Sequence, residues 1–348
     1  MPARVLVTGG AGYIGAHVVL ALARAGYSPL IVDNLANSSA SVRPRLERLT
    51  GVGIPLNVAD VRDRRALNRL FADQSIDAVV HCGGFKAVAD GEAQPLVYYD
   101  NNVAGSIALL RTMEQAGVRT LVFSSSASVY GQPDSNPVAE EAAVRPANVY
   151  GRTKRAIELI LAEAARRDGS WRIALLRYFN PAGADPSGQI GEAPSGSPNN
   201  LVPILAEVAL GRRAQLEIFG ADYATADGTG VRDYIHVSDL AEGHVAALRH
   251  LGKAAPGALT LNLGLGHGSS VREVVAAFER ASGRRIPWKV APRRAGDVAC
   301  YYADPARANA LLAWRAQREL DAICVDAWRW ASRAAELQRT RRLTSTGL

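Results

Sequence analysis

Apolar positions along the first half of this chain follow two rhythms. Short apolar runs at Val5-Leu6-Val7, Leu30-Ile31-Val32, Ala78 to Val80, Thr120 to Phe123 and Ile173 to Leu176 have the length of buried strands. Between them, helical spacing runs from about Ile14 to Ala25, from Arg62 to Phe71, from Pro95 to Gln115, and onward from Tyr150. Gly26 ends the first helix and Asp33 closes the second strand. Strands separated by helices of this length predict an α/β fold: a doubly wound parallel sheet covered on both faces. From Pro181 to Pro203, Gly, Pro, Ser and Asn dominate, the composition of a long functional loop. Helical patterns near Leu201 to Leu210, Leu240 to Leu251 and Val271 to Ala281, with a strand at Leu216 to Phe219, then predict a smaller mixed α/β lobe. Residues 1–180 are expected to form the first domain and 181–348 mainly the second. Segments such as Val231 to Val237 are expected to be able to rejoin the first sheet. Residues Arg339 to Leu348 read as a frayed tail.

Composition narrows the class. At roughly 150 residues per domain, 348 residues predict about two domains. Hydrophobic residues at 48% and charged residues at 21% are those of a globular chain. No apolar run is long enough for a transmembrane helix, so no membrane partner is expected. The three cysteines, Cys82, Cys300 and Cys324, have neither disulfide-scaffold nor metal-ligand spacing. They predict no metal and a reducing compartment, the cytoplasm. Strand signal from Arg4 leaves no room for a cleaved signal peptide. The net charge of +7 comes as scattered basic pairs, denser only at Arg339 to Arg342, and aromatics are 6% without a stacking pattern. That argues against nucleic acid and favours an acidic small substrate.

Thr8-Gly9-Gly10-Ala11-Gly12-Tyr13-Ile14-Gly15 joins the first strand to the first helix. Gly10, Gly12 and Gly15 fit G-x-G-x-x-G, and Gly9, Gly12 and Gly15 fit its G-x-x-G-x-x-G variant. Glycines allow the tight turn and the close approach of a pyrophosphate, which the helix N-terminus attracts. This is the Rossmann dinucleotide signature in its expected place, and Asp33 ends the next strand at the expected distance. A carboxylate there accepts from ribose hydroxyls and repels a 2′-phosphate, which favours NAD over NADP.

Tyr150 and Lys154 stand at i and i+4, on one helix face. Ser124-Ser125-Ser126 follows the strand Thr120 to Phe123, and ligands gather at the carboxyl ends of parallel strands. The three side chains Ser126, Tyr150 and Lys154 can therefore meet at one nicotinamide. Bringing a phenol from near 10 to about 7 takes roughly 4 kcal/mol. One cation at about 4 Å supplies that order of energy at an effective dielectric near 20. Lys154 and the nicotinamide ring are the candidate cations. Tyr150 would take a hydroxyl proton while hydride leaves the same carbon, and Ser126 would hold the hydroxyl or share the proton.

These residues resemble the extended short-chain dehydrogenase/reductase family and, within it, the UDP-hexose 4-epimerases. The match includes residues 7–15, Asp33-Asn34-Leu35, Lys86-Ala87-Val88, residues 98–103, Ser124 to Gly131 and Leu176 to Pro181. It continues through Pro198 to Leu201, the distinctive block Asp227 to Val237, and Pro292 to Asp297, covering residues 5 to about 315. The resemblance implies a tightly held NAD that is not consumed, with UDP-glucose and UDP-galactose as substrates. C4 of the sugar would be oxidised, the 4-ketosugar would turn about its diphosphate link, and hydride would return to the other face. It also implies a homodimer through helices such as Pro95 to Gln115 and Tyr150 to Arg166.

Position by position, the implied cofactor contacts are Gly9, Gly12, Tyr13, Ile14 and Gly15, then Asp33, Asn34, Leu35, Ala36, Asn37 and Ser38, with Asp60 and Val61 near the adenine. Cys82, Gly83, Gly84, Phe85, Lys86, Asn101, Ser126, Tyr150, Lys154 and Phe179 complete that set. The implied substrate contacts are Lys86, Ser126, Tyr150, Tyr178, Asn180, Asn200 and Leu201, with Glu217, Ile218 and Phe219 along the uracil. Arg232 and Arg294 would meet the diphosphate and Asp297 the uridine ribose, while Tyr301 would bar N-acetylated sugars. Departures from the family pattern are Cys82-Gly83-Gly84 before Lys86, Ser128 for threonine, Val149 for proline and Arg152 for lysine. None removes a reacting group.

Three rival readings follow from the same residues. A dehydratase needs an Asp-Glu pair where Ala127-Ser128 stands. A 4-epimerase or decarboxylase acting on a UDP-pentose or UDP-uronate keeps the same triad. An NAD(H)-sensing regulator would be expected to lack the Tyr/Lys pair.

Overall fold

The computed structural model describes residues 2–193, 196–294 and 296–345, with side chains through Leu337. Ala295, inside one matched stretch, and the last three residues of the expected tail lie outside the described residues.

The strands in chain order are β1 (Arg4–Thr8), β2 (Ser28–Asp33), β3 (Leu56–Val58), β4 (Ala78–His81), β5 (Thr120–Ser126), β6 (Arg172–Tyr178) and β7 (Asn180–Ala182). They continue as β8 (Leu216–Phe219), β9 (Val231–Arg232), β10 (Tyr234–His236), β11 (Gly257–Leu263), β12 (Ser269–Ser270), β13 (Trp288–Ala291) and β14 (Cys300–Tyr301). The helices are α1 (Tyr13–Arg24), α2 (Arg43–Thr50), α3 (Arg64–Asp73), α4 (Val88–Ala93), α5 (Pro95–Tyr98) and α6 (Gly105–Gln115). The later ones are α7 (Val149–Arg167), α8 (Leu201–Ala209), α9 (Val237–Leu251), α10 (Val271–Ser282), α11 (Ala306–Leu312) and α12 (Leu320–Ser345).

Seven parallel strands form the main sheet in the order β11-β6-β5-β4-β1-β2-β3. The period of two along each strand divides its apolar residues between two cores. Val5, Val7, Ile31, Val80 and Val122 face one core with α1 and α9, and Leu6, Leu30, Val32, Val79 and Leu121 face the other with α3, α6 and α7. Chain order reverses between β1 and β4, which opens a crevice at the carboxyl ends of those strands. A third core joins α8, α10 and α12 to β8 and β10 in the smaller lobe.

Three expectations change. Val231 to Val237 stays outside the main sheet: β9 lies between β12 and β14, and β10 pairs with β7. The strand that returns is β11, beside β6 at the sheet edge. Its buried Leu261 and Leu263 alternate with polar neighbours, so no continuous apolar run marks it. The helix expected over Pro95 to Gln115 is broken into α5, a wide π-helical turn at Tyr99–Ala104, and α6. The extra residue per turn there carries Asn101 and Asn102 inward, where both are buried. The expected tail is helical through Ser345 as the end of α12, a stretch of Ala, Leu, Gln and Arg with high helix propensity.

Candidate active site

The glycine loop packs against the β4 end of the crevice. Gly9 has φ +65°, and a Cβ on it would lie 2.8 Å from the backbone of Gly83. A Cβ on Gly15 would lie 2.1 Å from the Gly9 carbonyl, so the turn can form only with glycine there. The cavity beside it has a volume of about 540 Å³. It is lined by Gly9, Gly12, Tyr13, Ile14, Gly15, Asp33, Asn34, Ala36, Asn37, Ser38, Val61, Cys82 to Lys86 and Asn101. Asp33 organises its rim. One carboxylate oxygen accepts from the Ala11 amide at 3.0 Å, and the other from the Leu35 amide at 2.9 Å and the Ser38 hydroxyl at 2.8 Å. Leu35 itself packs on the first core, and Asp60 pairs with Arg62 at 2.8 Å and accepts from Asn34 at 2.9 Å.

A directed chain of hydrogen bonds locks the loop after β4. The Ser106 hydroxyl donates to the Asn102 carbonyl at 2.6 Å. His81 Nε2 therefore donates to Ser106 at 2.9 Å, and Nδ1 accepts from Thr8 at 2.6 Å. Thr8 in turn accepts from the Gly83 amide at 3.3 Å. Burial lowers the His81 pKa to about 3, so the ring is neutral. Asn102 clamps Phe85 from both sides, accepting from its amide at 2.8 Å and donating to its carbonyl at 3.0 Å, and it also donates to Thr153 at 3.1 Å.

Tyr150, Ser126 and Lys154 meet where β5 ends against the start of α7. Asn148 caps α7 by accepting from the Gly151 amide at 2.8 Å, and Glu92 accepts from the Val149 amide at 2.6 Å. A Cβ on Gly151 would lie 2.5 Å from the Ser128 carbonyl, so glycine there lets the helix approach the turn after Ser126. All three side chains are buried. Lys154 Nζ donates to the Ser124 carbonyl at 2.8 Å and lies 5.9 Å from the centre of the Tyr150 ring. Burial lowers its pKa to about 8. Burial also pushes the Tyr150 phenol up, and the neighbouring Ser126 hydroxyl draws it back. The cations expected to lower this phenol are Lys154 and the nicotinamide ring together, and in the protein by itself the phenol stands raised by burial. Cys82 is 3.2 Å from the Ser124 hydroxyl, and burial pushes its thiol up to about 11, an unreactive protonated state.

In the smaller lobe, Arg232, Asp297 and Arg294 come together. Arg294 Nε donates to Asp297 at 3.0 Å, and the Arg232 guanidinium lies 3.9 Å from the same carboxylate. Arg294 also stacks over Phe219, 4.6 Å from the ring centre. Glu217 pairs with Lys289 at 2.9 Å, whereas the Ile218 side chain turns into the third core. Tyr301 donates to the Ala127 carbonyl, and its ring lies 4.9 Å from that of Phe179. Tyr178 is buried beside His244. Asn200 and Lys86 both donate to Glu192, each at 2.9 Å, while Asn180 begins β7 and Leu201 begins α8.

The model of the NAD dependent epimerase/dehydratase family matches residues 5–264. This chain is a member of that family. Its relatives include a UDP-glucose 4-epimerase of Neisseria meningitidis serogroup C, 52% identical over 332 residues, 94% of this chain and 97% of the relative. A UDP-glucose 4-epimerase of Bacillus subtilis (strain 168) is 51% identical over 328 residues, 94% and 96% of the two chains. The solved UDP-glucose-4-epimerase of Stenotrophomonas maltophila, with bound NAD and formylated UDP-arabinopyranose, superimposes with a TM-score of 0.94 at 48% identity, covering 96% of this chain and 99% of that one. The UDP-glucose 4-epimerase of Bifidobacterium longum in complex with NAD+ and UDP gives a TM-score of 0.92 at 45% identity, covering 96% and 99%.

In this family member, sequence reasoning passed over Asn102, Glu192 and Trp330. Asn102 is next to the expected Asn101, and only the π-helical turn brings both inward. Glu192 lies in the irregular loop, and its carbonyl accepts from Trp330 Nε1 at 2.9 Å. Trp330 belongs to α12, a helix the apolar pattern did not announce.

Proposed function

We infer that the chain interconverts UDP-glucose and UDP-galactose as an NAD-dependent isomerase acting at sugar C4. The observation that carries this reading is the convergence of Ser126, Tyr150 and Lys154 beside the glycine cradle, with the paired Arg232 and Arg294 of the smaller lobe taken as the diphosphate grip. The near-full-length relationship to UDP-glucose 4-epimerases at about half identity supports it. The cradle fits a dinucleotide: it has glycine wherever a side chain would fill the turn, an open helix N-terminus, and the Asp33 carboxylate at the adenosine end.

NAD, when bound, supplies the acceptor and then the donor of the C4 hydride. Tyr150 Oη would take the proton of the C4 hydroxyl and give it back to the same oxygen once the turned ketone has been reduced on its other face, and Ser126 Oγ would hold that oxygen. Lys154, mostly protonated at neutral pH, fixes the end of β5 through the Ser124 carbonyl and keeps a positive charge in the pocket. Arg232 and Arg294 grip the diphosphate, leaving the sugar free to turn. Tyr301, half-buried against Phe179, closes the space an N-acetyl group would need.

A homodimer is part of the proposal. Leu96, Val97, Tyr99 and Leu159 form exposed apolar positions on the helical face that carries α5 to α7. Residence in the cytoplasm is supported by three unpaired thiols, Cys82, Cys300 and Cys324.

The test is conversion of UDP-galactose by the purified protein with no NAD added, beside Tyr150→Phe. Wild-type turnover is expected, with a loss of at least about 10²–10⁴-fold in the variant at unchanged NAD content. No turnover by a wild type that retains NAD would overturn the reading. In the same assay, comparable turnover of the N-acetylated pair would remove the role given to Tyr301. A preference for a UDP-pentose or UDP-uronate would reassign the substrate.

A further inference from the structure

We propose that Trp330 of α12 is a positioning residue that holds residues 183–192 in place as a wall of the dinucleotide cavity, and so sets how slowly a bound cofactor leaves. This rests on the proposed function only in taking NAD as that cofactor.

Residues 183–192 form a strap between the two lobes. Its middle is a tight hairpin. Ala184 bridges Gly191, the Asp185 amide donates to the Ile190 carbonyl at 2.9 Å, and Gly188 turns the chain at φ +65°. Toward the first domain, the strap is tied to the elements that build the cavity. The Gly183 carbonyl accepts from the Tyr13 hydroxyl at 2.8 Å, at the start of α1. Asp185 pairs at 3.2 Å with Arg24, at the end of α1, and Gln189 accepts from Arg48 of α2 at 3.3 Å. Ile190 is buried in the first core.

Toward the smaller lobe, the strap lies on α12. Arg329 donates to the Pro186 carbonyl at 2.8 Å and Arg333 to the Ser187 carbonyl at 3.2 Å. The tightest fit is with the Trp330 indole. A Cβ on Gly191 would lie 2.4 Å from that ring, so only glycine lets the strap backbone rest directly on it. Trp330 Nε1 donates to the Glu192 carbonyl at 2.9 Å. The Arg45 guanidinium, from α2, stands 5.6 Å from the centre of the same ring. Trp330, Arg45, Gly191 and Glu192 all line the cavity that the glycine turn also lines. One side chain therefore joins the strap, α2 and the cavity wall. Contacts that must open before a ligand escapes act mainly on its dissociation rate, so weakening this wall should speed release.

The experiment measures exchange. Purified protein carrying NAD is placed in excess isotopically labelled NAD, and the protein-bound fraction is followed by mass spectrometry. Trp330→Ala should release NAD about tenfold or more faster than wild type. Trp330→Phe, which keeps a ring but loses the bond to the Glu192 carbonyl, should do so about two- to tenfold faster. Trp328→Leu is the control for stability alone: Trp328 sits two residues away in α12 but packs on Phe278 in the third core. It should lower the melting temperature and leave NAD release at the wild-type rate. Wild-type release rates in both Trp330 variants would overturn the role of Trp330 and leave the proposed function standing. Release sped equally by Trp328→Leu would show general loosening of α12 and overturn the role as well. A wild-type protein that binds no NAD would overturn the proposed function, and this inference with it.

Discussion

The sheet and the smaller lobe would contribute two walls of different build to the proposed site. On the sheet side, Ser126, Tyr150 and Lys154 are buried, and their neighbours are tied by hydrogen bonds whose directions are all determined. On the lobe side, Arg232, Asp297 and Arg294 satisfy one another, and the Arg294 side chain is 57% exposed. The buried wall is fixed before anything binds, because each unpaired group there would be costly. On the lobe side only the Arg294–Asp297 pair has an exposed partner, so under the proposed function Arg294 can leave Asp297 for a diphosphate at small cost, whereas the half-buried Arg232 is held more firmly. Chemistry that needs sub-ångström placement belongs on the first wall, and a grip that must open and close belongs on the second.

The largest effect should come from breaking the fixed wall. Gly15→Val places atoms where a single Cβ already overlaps the Gly9 carbonyl. The variant should be purified with NAD content reduced at least about tenfold, and overpacking should cost about 1–3 kcal/mol of stability. Cofactor released by denaturation and measured by absorbance decides this; full NAD content would show that the turn adapts.

Loss on the adaptable wall should be smaller and different in kind. Arg232→Ala should raise KM roughly 10- to 100-fold, the equivalent of about 1.5–3 kcal/mol for a charged hydrogen bond, at unchanged NAD content. Arg294→Ala, more exposed, should cost less. If either variant instead loses cofactor, the two walls are not independent.

Acid provides the mildest probe. Burial lowers the pKa of His81 to about 3 and of His244 to about 4, and both stand behind the fixed wall. Their folded values lie below the unfolded value near 6.5, so between about pH 6.5 and 4 the unfolded chain binds protons that the native one does not. Stability therefore falls as pH falls through that window, by about 1.4 kcal/mol per pH unit for each histidine. Hydrogen exchange at pH 5 should show protection declining in β4 and β5 relative to pH 7. Protection unchanged there would mean that these rings are not held neutral.

Much of the site was readable without coordinates. The glycine turn, Asp33 and the Tyr150/Lys154 pair are local patterns, set by spacing along one strand, turn or helix. The partners of those residues were not. Asn102 points inward only because a π-helical turn replaces a regular one, and Glu192 meets Lys86 across more than a hundred residues of chain. The burial that raises the Tyr150 phenol was not legible either, because desolvation depends on what surrounds a group in three dimensions.

From residue order alone came the parallel α/β sheet, the glycine turn and the proposed Ser126, Tyr150 and Lys154 triad, because hydrophobic period and short motifs act over a few residues. Tertiary packing decided the rest. It added β11, not β9 or β10, to the sheet edge, and it turned Ile218 inward beside an outward Glu217. It also set the protonation of His81, His244 and Lys154. These depend on burial and on contacts between distant segments, and no local pattern encodes either.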